Sequence, residues 1–152
     1  MKTISSELDQ FDNRILKAVQ ESGRISITAL AERIGLSKTP TQLRLKKLQK
    51  RGFIDGFKAV LNTHKLGLDH VAFVEVKLSD TREDALRKFN KEVRKLAEIE
   101  ECHMIASDFD YLLKVRTSDI KAYRMVLAEK ISSLPHVAST STFVAMESVK
   151  EK

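Results

Sequence analysis

The chain has 152 residues, 42% hydrophobic and 32% charged, enough to bury one core or two small ones. Its net charge of +6 lies wholly in residues 1–60, which carry 12 Lys+Arg against 6 Asp+Glu, whereas residues 61–152 carry 15 of each; a basic module beside a neutral one fits a polyanion partner, although surface charge also serves solubility. The single Cys102 excludes an internal disulfide, and no Cys/His spacing or glycine loop calls for a metal or a cofactor. No apolar run approaches the roughly 20 residues of a membrane span and Met1–Ser6 lacks the apolar stretch of a secretory signal, so the expected location is cytoplasmic, with no membrane partner.

Leu8, Phe11, Ile15, Leu16 and Val19 recur at helical spacing, with Asp9 and Asp12 in the first turn where the helix dipole favours negative charge; this predicts a helix over about 8–20. Glu21-Ser22-Gly23-Arg24 reads as a turn. Ser26 is placed to cap a short second helix carrying Leu30 and Ile34, which Gly35 ends. Ser37 is placed to cap a third helix over about 38–51, and Pro40 is tolerated in its first turn. Thr41, Leu45 and Leu48 form its inward stripe, Gly52 ends it, and Phe53-Ile54-Asp55-Gly56-Phe57 looks like a short hairpin or wing.

Residues 61–69 read as a connector between a first module, 1–60, and a second, 70–152. Val71 to Leu78 alternates as a strand, with Ala72, Val74, Val76 and Leu78 on one face and Glu75 and Lys77 on the other. Ala85, Leu86, Phe89, Val93 and Leu96 mark a helix over about 82–97. Strands over about 99–106 and 110–116 flank the turn Ser107-Asp108-Phe109. A helix with the stripe Ile120, Tyr123, Leu127, Ile131 and Leu134 ends before Pro135, and Val137 to Met146 is the last strand. The fold class is therefore a two-module α/β protein, a winged helix-turn-helix followed by a ferredoxin-like βαββαβ (α+β) domain. Helices on one sheet face leave the other to a partner, and self-association is the natural solution.

Asp9-x-x-Asp12, Gly23-Arg24-Ile25, Leu30-Ala31-Glu32-Arg33-Ile34-Gly35-Leu36-Ser37 and Gly52-Phe53-Ile54 resemble the leucine-responsive regulatory protein/asparagine-type family. Leu66-Gly67, Glu101-Cys102-His103, Asp108-Phe109-Asp110-Tyr111-Leu112-Leu113 and Leu134-Pro135-His136-Val137 extend the resemblance over nearly the whole chain. Within the family, Ser37-Lys38-Thr39-Pro40 and the run Ser133 to Phe143 are most similar to the activators of proline catabolism. The resemblance implies homodimers formed through the second domain, assembling further to tetramers or octamers, and a small amino acid bound near those contacts that shifts assembly or DNA binding.

A recognition helix fills the major groove of double-stranded DNA with the side chains that face away from its own core. Here those are Thr39, Leu43, Lys46 and Lys50, flanked by Gln42 and Lys47, with Ser37 and Lys38 at the helix start. Gln42 suits an adenine edge, Thr39 or Leu43 a thymine methyl, and Lys38, Lys46 and Lys47 guanine edges or phosphates. Arg44 flanks the buried stripe and fits either a phosphate contact or a structural ion pair. Leu43 stands where the family commonly has a polar residue, and fits a groove contact or a protein contact.

A free amino acid presents an ammonium and a carboxylate, so its site needs an anionic acceptor beside clustered donors. Asp108, Asp110 and the backbone around Ser107 and Tyr111 offer these, with Thr140 and Thr142 on one face of the last strand; the resemblance points to the same segments. Ser107 replaces a glycine common in the family, which either weakens effector binding or adds a hydroxyl contact. Proline is the first candidate effector and leucine the second. His64, His70, His103 and His136 are scattered, and no nucleophile–base order accompanies them, so catalysis is not expected. The remaining alternative is an architectural DNA-binding protein indifferent to amino acids.

Overall fold

The computed structural model describes residues 7–151, and the chain divides into two compact units at Val60/Leu61. In the first unit α1 spans Gln10–Glu21, α2 Ile27–Ile34 and α3 Lys38–Lys50. Asp9 starts α1 through a reciprocal cap: its carboxylate accepts the N–H groups of Phe11 at 2.8 Å and Asp12 at 2.9 Å, while Asp12 accepts the N–H of Asp9 at 3.4 Å. Ser26 Oγ accepts the Ala29 N–H at 3.1 Å to open α2, and Gly35 closes it at φ +77°, a conformation glycine adopts without steric cost. Ile15, Ala18, Val19, Leu30, Ile34 and Leu48 form the core between the three helices.

Two local expectations fail here. Among the described residues the Ser37 side chain makes no capping bond; its carbonyl instead accepts the Thr41 hydroxyl at 2.8 Å, which satisfies a fully buried Thr41. The hairpin over 53–57 does not form, and no strand is assigned from 51 to 69. Phe53 and Ile54 both pack on the helical core, which strand alternation forbids for neighbours, and Phe57 lies so close to Gly23 that a Cβ there would come within 3.2 Å of its ring.

In the second unit β1 spans His70–Leu78, α4 Glu83–Val93, β2 Ile99–Met104, β3 Tyr111–Thr117, α5 Ile120–Val126 and β4 Val137–Val144. All strand pairs are antiparallel in the order β2-β3-β1-β4, the ferredoxin-like arrangement. Ala72, Val74, Val76, Leu113 and Val115 face the helices and pack with Phe89, Tyr123 and Ile131. Helix α4 stops at Val93, short of the expected end, because the N–H groups of Lys95 and Leu96 turn to carbonyls three residues back. Helix α5 continues as a wider turn over Leu127–Ile131, where Ser132 N–H reaches Leu127 O at 2.9 Å. Across that widening Val126 and Ile131, five apart, are both buried, while Ile120 at the helix start is exposed, so the expected stripe is displaced at its start.

Among the described residues of this unit no helix covers the opposite sheet face. Phe73 and Phe143 are direct partners across β1 and β4 there and are 37% and 55% exposed. Toward one end of that face Arg116, 8% exposed, is held by Glu100 at 2.5 Å and Glu151 at 2.5 Å, and Lys114 joins the same two carboxylates. The network ties edge strand β2 and the segment after β4 onto β3.

Candidate DNA interface and effector site

The inward stripe of α3, Thr41 and Leu48 with Leu45 partly buried, fixes which side chains look out. Ser37, Lys38, Thr39, Gln42, Lys46, Lys47 and Lys50 are all exposed, and Leu43 is 63% exposed. One face of a 13-residue helix thus offers four lysines, an amide and a bare leucine, a surface suited to phosphates and base edges. Arg44 is occupied: its Nη1 donates to Asp9 at 2.6 Å and Asp12 at 2.9 Å, and its guanidinium lies 5.5 Å from the Phe11 ring centre. It anchors the start of α1 to α3. The N–H of Asp12 on the Asp9 carboxylate and the Arg44 guanidinium together hold Asp9 below the usual aspartate range.

The residues chosen for an effector divide between the two sheet faces. Asp108 lines a hollow of about 160 Å³ on the open face with Glu75, Lys77, Phe109, Ser139 and Ser141. The register pairs Glu75 with Ser141 and Lys77 with Ser139, so the chemistry sits on two adjacent strands beneath the β2–β3 turn. Ser107 Oγ donates to Asp108 at 2.8 Å and this keeps the Asp108 carboxyl below its ordinary value. Ser107 does not take a positive φ, so the glycine common at that place is not required by the backbone here.

Thr140 and Thr142 do share a face, but it is the helix side, where the Thr142 hydroxyl meets the Tyr123 hydroxyl at 2.5 Å. Tyr111 also points to the helix side, 1% exposed, with its ring 4.4 Å from Phe89. Asp110 is held at the end of β1: its Oδ2 accepts the Leu78 N–H at 2.7 Å and its own N–H donates to Val76 O at 2.9 Å. The structure therefore brings Ser107 and Asp108 together with Glu75, Lys77, Ser139 and Ser141, and separates them from Tyr111, Thr140 and Thr142. The sequence did place Glu75 and Lys77 off the core face. It carried no such signal for β4, whose mixed small residues alternate without a clear apolar parity. Among the described residues no group of His, Cys, Asp and Glu is arranged to hold a metal ion.

A three-helix unit with a cationic, outward-facing third helix, followed by a ferredoxin-like unit with a polar hollow, defines a DNA-binding protein with a separate ligand-binding domain. Residues 8–55 match the winged helix-turn-helix DNA-binding family, and residues 71–152 match the Lrp/AsnC ligand binding domain. The chain belongs to the Lrp/AsnC family of transcriptional regulators. It is 66% identical over 147 residues to a proline dehydrogenase transcriptional activator of Rhizobium radiobacter, covering 97% of this chain and 94% of that protein. It is 45% identical over 150 residues to the leucine-responsive regulatory protein of Klebsiella pneumoniae, covering 99% and 92%. Among solved structures, a Neisseria meningitidis transcriptional regulator in complex with L-Met superposes with a TM-score of 0.88 at 30% identity, covering 95% of this chain and 93% of that one. These relatives are regulators of transcription and not enzymes. Among the described residues no helix is long and apolar enough to cross a membrane.

Proposed function

We propose that this regulator binds its DNA as a homodimer or a larger even assembly, and that a small amino acid bound at the Asp108 hollow alters that binding. The observation that carries the reading is the hollow's pairing of opposite charges: Asp108 and Glu75 suit an ammonium, while Lys77, Ser139 and Ser141 suit a carboxylate. Proline is the first candidate, supported by the likeness to a protein named as a proline dehydrogenase activator, and leucine the second, supported by the leucine-responsive relative. Genes of amino-acid metabolism are the corresponding targets. Ser37, Lys38, Thr39, Gln42, Leu43, Lys46 and Lys47 are assigned to DNA, and Arg44 to holding α3 in place. Asp110 shapes the turn that carries Asp108.

Dimerisation is supported by the bare sheet face around Phe73 and Phe143, since a sheet with helices on one side buries its other side against a partner. Two recognition helices then read half-sites about one DNA turn apart. The test is DNA binding on a sequence selected in vitro, with and without a panel of amino acids. A shift produced by one or two of them supports the reading. Sequence-tolerant binding unaffected by any of them identifies the architectural alternative.

A further inference from the structure

A second, larger hollow lies on the helix side of the sheet, between α4 and edge strand β2. Its volume is about 490 Å³, and Asn90, Val93, Arg94, Ile99, Cys102 and Tyr111 are among its walls. At its floor the Tyr111 hydroxyl is buried beside the Asn90 side chain, with no well-formed hydrogen bond among the described residues. A buried hydroxyl with nothing to bond costs about 1–3 kcal/mol, so such a group is ordinarily satisfied by a ligand or an ordered water. The other end of the hollow carries the Arg94 guanidinium, which makes no ion pair among the described residues and lies close enough to Cys102 to oppose the upward push that burial gives its thiol.

The charges nearby indicate what fits. Two carboxylates border the hollow, but Glu100 is taken by Arg116 and Lys114, and Glu101 lies 4.0 Å from Lys114 and 3.1 Å from His103 Nε2. An ammonium would find no unengaged anion there, whereas an anion would find Arg94. Between the cation and the tyrosine the walls are apolar, from Val93, Ile99 and Met104. We infer that this hollow is a second effector site, for a small branched carboxylate bearing a neutral oxygen in place of the ammonium: a 2-oxo or 2-hydroxy acid. The carboxylate meets Arg94, the neutral oxygen meets the Tyr111 hydroxyl, and the branch lies among Val93, Ile99 and Met104. Such acids are what deamination or transamination of an amino acid produces. A chain holding both sites would therefore compare an amino acid with its own carbon skeleton.

This site shares no residue with the Asp108 hollow, so the two stand or fall separately. Cys102 is the only cysteine in the chain, which makes its alkylation by a small maleimide a readout confined to this hollow. The full-length protein is alkylated with and without 4-methyl-2-oxopentanoate, with L-leucine and acetate as comparisons, and the oxo acid's binding is measured in parallel by calorimetry. The oxo acid is expected to slow alkylation at least several-fold, and leucine and acetate to do little. Arg94→Gln is expected to weaken the oxo acid's binding at least tenfold, and Tyr111→Phe, which keeps the ring against Phe89, to weaken it less. Asp108→Asn is expected to leave the protection unchanged. Absence of protection, protection equal for acetate or leucine, or full protection in Arg94→Gln would each overturn the assignment. None of those results bears on the amino-acid response assigned to Asp108.

Discussion

The Asp110 carboxylate is the hydrogen-bond acceptor for the Leu78 N–H, at 2.7 Å, where the pairing of β1 with β4 slips by one residue after Lys77. The pairing of β1 with β3 ends at Val76 and Tyr111, so the Leu78 N–H on that side has no ladder partner and the Asp110 side chain, just ahead of β3, supplies one. Asp110→Ala is expected to lower stability by about 1–3 kcal/mol, because a largely buried N–H loses its acceptor. Asp110→Asn keeps a carbonyl oxygen in place and should cost less. Urea unfolding of both variants checks the order; equal stability of Asp110→Ala and the parent would show that the bond contributes nothing.

Acid titration tests the cap of α1. Asp9 has a lowered value in the folded chain, held down by the Asp12 N–H and the Arg44 guanidinium. A depressed carboxyl stabilises the fold above its ordinary value of 3.8, and that contribution disappears as pH falls through the lower, folded value. Asp9→Asn is therefore expected to be less stable at neutral pH and to lose stability less steeply below about pH 4. Thermal melts from pH 7 to pH 2 read both effects.

Much of this was legible in the chain itself, for reasons that differ by residue. Ser26 and Gly35 marked the ends of α2 because capping and left-handed closure are local demands, met by particular side chains. The apolar alternation of Ala72, Val74, Val76 and Leu78 gave β1 its faces, and the order of elements gave the fold. Three features depended on packing that no local pattern records. Phe53 and Ile54 do not form the expected hairpin because both pack on the helical core. In α5 the buried stripe runs through Tyr123 and Val126 and reaches Ile131 across a widened turn, while Ile120 at the helix start stays exposed. The third feature, the parity of β4, mattered most for the site: Thr140 and Thr142 share a face as expected, but Ser139 and Ser141 are the ones beside Asp108. In a strand of alternating Ser and Thr, only the pairing with β1 decides which set faces the core.

On DNA, Gln42 and Lys47 are expected to behave differently. Gln42→Ala should relax sequence preference by about 1–3 kcal/mol on the preferred site and change random-sequence binding little. Lys47→Ala should weaken binding to all sequences and reduce the slope of log affinity against log salt by about 1. Arg44→Ala should leave that slope unchanged and lower stability instead, since its guanidinium serves Asp9 and Asp12. Fluorescence anisotropy across a salt series separates the three.

Phe143→Asp places a charge on the bare sheet face opposite Phe73 without entering the core. The variant is expected to sediment as a monomer at micromolar concentration with its helical content retained. An unaltered dimer would move the interface elsewhere.

Coupling between the Asp108 hollow and DNA is read directly by a single titration. Selected DNA is titrated with the parent and with Asp108→Asn across proline and leucine series. The parent should change its DNA affinity several-fold to about 150-fold with one of them, the range of ordinary coupling energies. Asp108→Asn should bind DNA as the parent does without effector, and respond to neither amino acid. An undiminished response in Asp108→Asn would contradict the site.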